Sequence, residues 1–217
     1  MTPKEGPKCA FCRTYSCWKG EKDNLPAFCP GQKEGHIYEK AAKAYRGEDG
    51  ELARAAARVE ADGYGNWPRL REIAELAGRL NIKRLGLAFC VGLRREAADV
   101  ARILEENGFT VFSAMCKTGS RPKEELGIED REKVRPGTFE PMCNPVAQAL
   151  LLNEAGVELN ILLGLCAGHD TLFIKHAAAP VTVLAVKDRA TGHNPLAAVY
   201  AAHYFGKKLK MDKKTQD

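Results

Sequence analysis

The sequence predicts an α/β protein: a small, mostly parallel four-stranded sheet flanked by helices. A helical pair precedes the sheet, and a cysteine-rich metal-binding segment leads the chain. Three observations predict this. From Arg84 onward, short apolar runs alternate with helical stretches, the pattern of parallel strands joined by crossovers. Between His36 and Leu80 the apolar residues recur at helical spacing. The eight cysteines divide into four near the N-terminus and four spread through the alternating region. The expected organisation is a segment over residues 1–35 and an α/β domain over 36–217. Within that domain, 36–82 reads as helical and 83–217 as the sheet core.

Residues 1–35 are rich in Cys, Pro, Gly and Lys and have little periodicity. Such a stretch buries almost no core and needs a staple, which a bound metal supplies. A helix is expected from Ala41, Ala42 and Tyr45 onward, continuing through Leu52, Ala55, Ala56 and Val59 until Gly63 and Gly65 stop it. Asn66 is the expected N-cap of the next helix, with Pro68 in its first turn. Leu70, Ile73, Ala74, Leu76, Ala77 and Leu80 form its apolar stripe.

The first strand is expected over Leu85–Cys90, followed by a helix over Arg94–Asn107 that Gly108 closes. The second strand spans Phe109–Met115. A long charged stretch, Lys117 to Pro141, follows and is broken by Gly119, Pro122, Gly127, Pro136 and Gly137. Its length suits a lid or a partner surface, and equally a passive excursion. Asn144 then caps a helix with Pro145 at its first position, ended by Gly156. Val157–Leu165 is the third strand, Asp170–Ala178 a helix and Val181–Val186 the fourth strand. Asn194-Pro195 opens a last helix running to about Lys207.

Composition narrows the function. The formal net charge of +5 comes partly from Lys207, Lys208, Lys210, Lys213 and Lys214. No aromatic residues are interleaved there as on a nucleic-acid surface, so nucleic acid is not the expected partner. The leading residues have no apolar h-region, so no signal peptide is expected. The longest apolar stretch, around Leu159 to Cys166, is too short to span a bilayer, and no membrane partner is expected. The expectation is a cytoplasmic protein, where thiols serve as ligands, nucleophiles or inert core residues rather than as disulfides.

Two constellations carry chemistry. Cys9, Cys12, Cys17 and Cys29 have the spacing Cys-x2-Cys-x4-Cys-x11-Cys. Two thiolates separated by two residues can grip one ion, and four complete a tetrahedral zinc site or hold an iron–sulfur cluster. The second group rests on topology. Cys90, Cys116 and Cys166 stand at or just past strand ends, and Cys143 precedes the Asn144 helix, whose positive terminus favours a thiolate. Parallel strands end at one edge, so these four can converge, with His169 and Asp170 after strand three and Asp188, Arg189 and His193 after strand four. The expected metal ligands are Cys9, Cys12, Cys17, Cys29, Cys90, Cys116, Cys143, Cys166 and His169. Cysteine is also a good small core residue, but three strand-end cysteines accompanied by His169-Asp170 and Asp188-Arg189 with His193 favour a functional edge over buried free thiols.

Gly164-Leu165-Cys166-Ala167-Gly168 has the form of a strand-to-helix nucleophile elbow with cysteine in place of serine. Asp188 and His193 follow in the acid and base order of an α/β-hydrolase. The alternative function is therefore a hydrolase with Cys166 as nucleophile, His193 as base and Asp188 as its orienting acid. Both of those residues share one short loop, and the sheet is small for that fold.

Cys143-Asn144-Pro145-Val146-Ala147-Gln148, Leu163-Gly164-Leu165-Cys166, Gly168-His169-Asp170, Val186-Lys187-Asp188-Arg189 and His193-Asn194-Pro195 together resemble the bacterial and archaeal family called domain of unknown function 1847. The N-terminal cysteine pattern with Cys29-Pro30, and Phe89-Cys90-Val91-Gly92-Leu93, are similar to it as well. The resemblance covers nearly the whole chain. It implies a metal-binding protein of uncharacterised reaction and assigns no ligands. The expected function is thus zinc or iron–sulfur binding, with thiol redox chemistry or metal handling at a Cys/His site on the sheet's carboxyl edge. Its partner is a metal ion or cluster, together with an unidentified small molecule or protein.

Overall fold

In a computed structural model, residues 6–210 are described; the leading residues and the tail lysines Lys213 and Lys214 lie outside that range. The chain divides into two compact units at Arg58/Val59. The sequence reading set its boundary earlier, after Gly35.

The first unit holds the short helices α1 (Ser16–Lys19) and α2 (Pro30–Lys33), then α3 (Gly35–Ala44). The helix α4 (Glu48–Gly63) runs across the division. In the N-terminal segment Ser16 and Cys29 are buried and most other side chains are exposed. A segment so poor in core draws little stability from apolar burial.

The second unit begins with α5 (Arg69–Arg79), which Pro68 rather than Asn66 caps; the Asn66 amide instead donates to the carbonyl of Tyr64. Next come β1 (Arg84–Phe89), α6 (Arg94–Glu106) and β2 (Thr110–Met115). Then α7 (Pro145–Glu154), β3 (Leu159–Leu165), α8 (His169–His176) and β4 (Val181–Val186) follow. The expected last helix is two short pieces, α9 (Leu196–Tyr200) and α10 (Ala202–Phe205), broken at Ala201, which leaves helical geometry with ψ at 36°. Among the described residues no helix is long and apolar enough to cross a membrane.

All three strand pairings are parallel, in the order β2-β1-β3-β4. Strand period two sorts the side chains. Leu85 and Leu87 of β1, with Leu159, Ile161 and Leu163 of β3, pack with Ile73 and Ala77 of α5 and Val100 and Leu104 of α6. Ala88 and Leu162 pack on the other face with Ala149 and Leu152 of α7 and Phe173 of α8. The chain moves one way from β1 to β2 and back past β1 to β3. Right-handed crossovers therefore put α6 and α7 on opposite faces. The reversal makes a crevice between the carboxyl ends of β1 and β3, where open α/β sheets bind ligands.

One residue breaks the alternation. Gly164, with φ at +69°, sits where the pairing of β3 with β4 slips. The extra residue of a bulge turns Leu165 from the α5/α6 face to the α7/α8 face, where it packs with Phe173. The strand's exit, and with it Cys166, is re-aimed by that one-residue slip.

Candidate functional site

Cys90, Cys116 and Cys166 are each the first residue past β1, β2 and β3. The register that pairs Phe89 with Met115 continues one step, with the Cys116 N–H donating to Phe89 O at 2.9 Å. That step puts Cys90 beside Cys116. Cys143 arrives from another direction. The Asn144 N–H donates to Cys116 O at 2.7 Å, and the Asn144 side chain caps α7 by accepting from the Ala147 N–H at 3.0 Å. The helix start is thereby stapled to the end of β2, with Cys143 immediately before it.

Cys90 and Cys116 share one buried cluster, and Cys143 packs against it. Cys90 and Cys116 are buried, at 7% and 3% exposure, and Cys143 is half-buried. The Val91 N–H donates to the Cys116 sulfur at 3.3 Å. Contact with Cys116 draws the Cys90 thiol down to about 5 against its burial, aided by the Gly92 N–H and Lys187. Contact with Cys116 likewise draws Cys143 down to about 5 against burial, aided by Lys117 and His169. Cys116 itself is pushed up by Cys143 and Cys90, which compete for its proton. One thiol has one proton to donate, so Cys116 serves one neighbour at a time, and the three sulfurs titrate as a unit. The direction is a trio that holds thiolate at neutral pH with Cys116 protonated.

Cys166 is half-buried, and its sulfur meets the Arg189 guanidinium at 3.5 Å. Arg189 is held further above its usual range by Cys166 first, and Cys90 and Cys143 also contribute. A single cation thus feels three of the four edge thiols. Lys187 Nζ lies 3.3 Å from where a side chain on Gly92 would begin, so Gly92 leaves the room that brings the ammonium to Cys90. Lys117, Lys187 and Arg189 give the edge a positive surround.

His193 and Asp188 are arranged differently. The Asp188 carboxylate accepts from the Ala190 and Thr191 N–H groups at 2.9 and 3.1 Å, which fixes its own turn. His193 Nδ1 accepts the Asp188 N–H at 3.1 Å. A neutral imidazole accepting at Nδ1 carries its proton on Nε2, so its free nitrogen is a donor rather than a base. The contact made by Cys166 is to Arg189.

The stretch from Lys117 to Pro141 closes on itself between Cys116 and Asn144. Pro122 and Pro141 form an antiparallel bridge, the Lys117 ammonium donates to Pro141 O, and Lys123 pairs with Glu140. The Glu129 and Glu132 side chains form a capping box around a short 3-10 turn. The stretch is thus closed by its own pairs, and its two ends adjoin Cys116 and Cys143.

In the first unit, Cys9, Cys12, Cys17 and Cys29 all line one cavity of 220 Å³, together with Tyr15 and Trp18. The Cys12 thiol is held below its usual range by the Thr14 hydroxyl and then by the Tyr15 and Thr14 N–H groups. Among the described residues, no group of three or more Cys, His, Asp or Glu stands in a metal-holding arrangement. A groove of 730 Å³ between α5 and α6 is lined by apolar side chains, Arg71, Asn107 and the paired Arg79 and Glu75. It contains no thiol.

Sequence reasoning did not single out Lys187, Gln148 or the bulge role of Gly164. Gln148 is wholly buried on α7 and its Nε2 donates to Phe89 O at 3.2 Å and Ala114 O at 2.6 Å. It thereby braces the ends of β1 and β2 just before Cys90 and Cys116. The available signal was an amide among the apolar residues that open the helix Pro145–Glu154, and for Lys187 its place directly after a strand.

A family described as "Protein of unknown function (DUF1847)" matches residues 29–184. The matched span holds Cys29 and all four edge cysteines, and stops before Lys187, Asp188 and His193. The uncharacterised protein MJ0455 of Methanocaldococcus jannaschii is 39% identical over 204 residues, covering 94% of this chain and 98% of that one. No solved structure matches. With a family match over most of its length and a relative matched almost end to end, the chain belongs to the DUF1847 family.

Proposed function

We propose that this protein binds a thiophilic metal ion or iron–sulfur cluster through the thiols at the carboxyl edge of its sheet, and that it handles metal or electrons there. The carrying observation is that Cys90 and Cys116 stand one step past the paired strand ends Phe89 and Met115 in one buried cluster, with Cys143 packed against it. Two thiolates on one ion at about 2.3 Å stand roughly 4 Å apart, which is the scale of a thiol–thiol contact. Cys166 and His169 supply further donors at the same edge. A metal tetrathiolate or a thiolate-held cluster carries net negative charge, and Lys117, Lys187 and Arg189 offset it. When bound, such a group would supply Lewis acidity or one-electron transfer. The chain's own residues hold thiolates ready, set their positions through Asn144 and Gln148, and limit water at the buried pair.

The cysteine-rich N-terminal segment supports a second centre. Four thiols lining one cavity in a core-poor segment suit a bound inorganic group, whose binding energy would be folding energy there. The cavity leaves room for a cluster as well as for zinc. The hydrolase alternative draws less support, because His193 and Asp188 are engaged within their own turn.

Metal analysis and a visible spectrum of anaerobically purified protein test the proposal. Stoichiometric zinc in a colourless protein, or broad absorption near ~400 nm, is expected, reduced in Cys116→Ser. Metal content unchanged by Cys116→Ser and by Cys90→Ser would refute the edge site. Protease sensitivity of the N-terminal segment in Cys12→Ser tests the second centre separately.

A further inference from the structure

We propose that Cys143, Cys116 and Cys90 form a thiol–disulfide relay, in which Cys143 exchanges with an external aliphatic disulfide and Cys116 resolves the product. The relay uses the same thiols as the metal reading but needs no metal. It runs in the metal-free protein, because a thiolate held by a metal is not free to attack.

Three features of the geometry carry it. The first is a gradient of access: Cys143 is half-buried, whereas Cys116 and Cys90 are 3% and 7% exposed. An external disulfide therefore meets Cys143 first. The second is shared packing: Cys116 and Cys90 lie in one buried cluster with Cys143 packed against it, and one sulfur can bond either neighbour but not both at once. The third is backbone spacing. Cys90 and Cys116 follow the register pair Phe89 and Met115 on adjacent parallel strands, and neighbouring strands lie about 4.8 Å apart, inside the roughly 4.4–6.8 Å between Cα atoms that a disulfide spans. Cys143 is tied to the same place by the Asn144 N–H on Cys116 O at 2.7 Å. The Val91 N–H at 3.3 Å from the Cys116 sulfur stabilises negative charge whenever that sulfur attacks or leaves.

The chemistry balances. The Cys143 thiolate attacks one sulfur of R–S–S–R, the S–S bond breaks, and one RS⁻ leaves. A mixed disulfide joins Cys143 to the remaining RS group. Cys116 gives its proton to the departed thiolate and attacks the Cys143 sulfur, breaking the Cys143–SR bond and releasing a second RS⁻, which takes a proton from water. Two protein thiols are oxidised to one disulfide, and one external disulfide is reduced to two thiols. Cys90 can then attack Cys116, which moves the disulfide inward and returns Cys143 as thiolate with no net redox change.

The test uses full-length protein, reduced and stripped of metal by chelation, with glutathione disulfide as probe and cysteine-resolved mass mapping as readout. The wild type should carry a Cys116–Cys143 or Cys116–Cys90 disulfide and little glutathione on Cys143. Cys116→Ser should trap glutathione on Cys143, at an occupancy about tenfold above the wild type, because the resolving thiol is gone. Cys90→Ser should still form Cys116–Cys143. Equal, lasting glutathione on Cys143 in wild type and Cys116→Ser would overturn the relay, as would glutathione absent from Cys143 in both. Should Cys116→Ser not fold, the wild-type map decides alone: disulfides confined to other cysteines overturn the proposal. Because the protein is metal-free throughout, a failed relay leaves the metal reading standing, and a failed metal analysis leaves the relay standing.

Discussion

Replacing Gly164 by alanine should destabilise the second unit well beyond an ordinary glycine substitution. Gly164 has φ at +69°, and an L-residue held in that region costs about 1–2 kcal/mol. A Cβ there would also lie 2.2 Å from Leu93 Cδ1 and 3.3 Å from Leu93 Cγ. Leu93 is 6% exposed and sits in the core with Ala97 and Leu163, so its methyl has little room to retreat. Overpacking of that kind costs about 1–3 kcal/mol, giving a combined loss of roughly 2–5 kcal/mol. Gly108→Ala is the control: φ is +86°, but nothing lies within 4 Å, so only the conformational cost of about 1–2 kcal/mol applies. Equilibrium urea unfolding of both variants measures the difference, and for a unit of this size the melting point of Gly164→Ala should fall by about 5–15 °C. The local consequence is that Cys166 loses its contact with Arg189 as the bulge relaxes. If Gly164→Ala cost no more than Gly108→Ala, the close approach to Leu93 would not exist and the re-aiming of Cys166 would lose its basis.

Two further predictions concern the thiol trio. Gln148→Leu removes the donations to Phe89 O and Ala114 O, while Phe89 O keeps the Cys116 N–H and an unpartnered Oε1 is also removed. The net cost is about 1–2 kcal/mol by urea unfolding, accompanied by weaker metal retention; an unchanged protein by both measures would deny Gln148 its bracing role. Alkylation of Cys143 by iodoacetamide in chelated protein should stay nearly constant from alkaline pH down through neutrality, falling only as pH nears about 5, because its pKa is lowered. Cys116, pushed up and buried, should stay unmodified over that range. Since Cys116 is the largest cause of the lowering, Cys116→Ala should raise the Cys143 midpoint more than Lys117→Met does. A midpoint near the ordinary thiol value in the wild type would contradict the assignment.

How much of this was legible in the sequence depends on the range of the signal. The four strands announced themselves as short apolar runs, three of them preceded by Gly108, Gly156 or Pro180, and parallel topology then placed Cys90, Cys116 and Cys166 one step beyond their ends. The Asn144-Pro145 start of α7 was equally local, a cap followed by a residue that needs no donor. What stayed hidden were events that depend on three-dimensional partners. The bulge at Gly164 is a slip of one residue, invisible to a period-two reading of β3. Gln148 read as part of an apolar helix, because the two carbonyls it braces lie 59 and 34 residues earlier in the chain. The stretch from Lys117 to Pro141 read as a lid, a partner surface or a passive excursion, since its closure rests on pairs such as Lys123 with Glu140 and a bridge between Pro122 and Pro141. The break at Ala201 has no glycine or proline to mark it.

The most direct test of the central claim is X-ray absorption at the metal edge, on anaerobically purified protein with Cys9, Cys12, Cys17 and Cys29 all changed to serine. That variant isolates the sheet edge from the N-terminal cysteines. The account predicts retained metal with sulfur scatterers at about 2.3 Å, whose number falls when Cys116 is also replaced. A variant without metal, or one whose metal sees only oxygen and nitrogen neighbours, would contradict it.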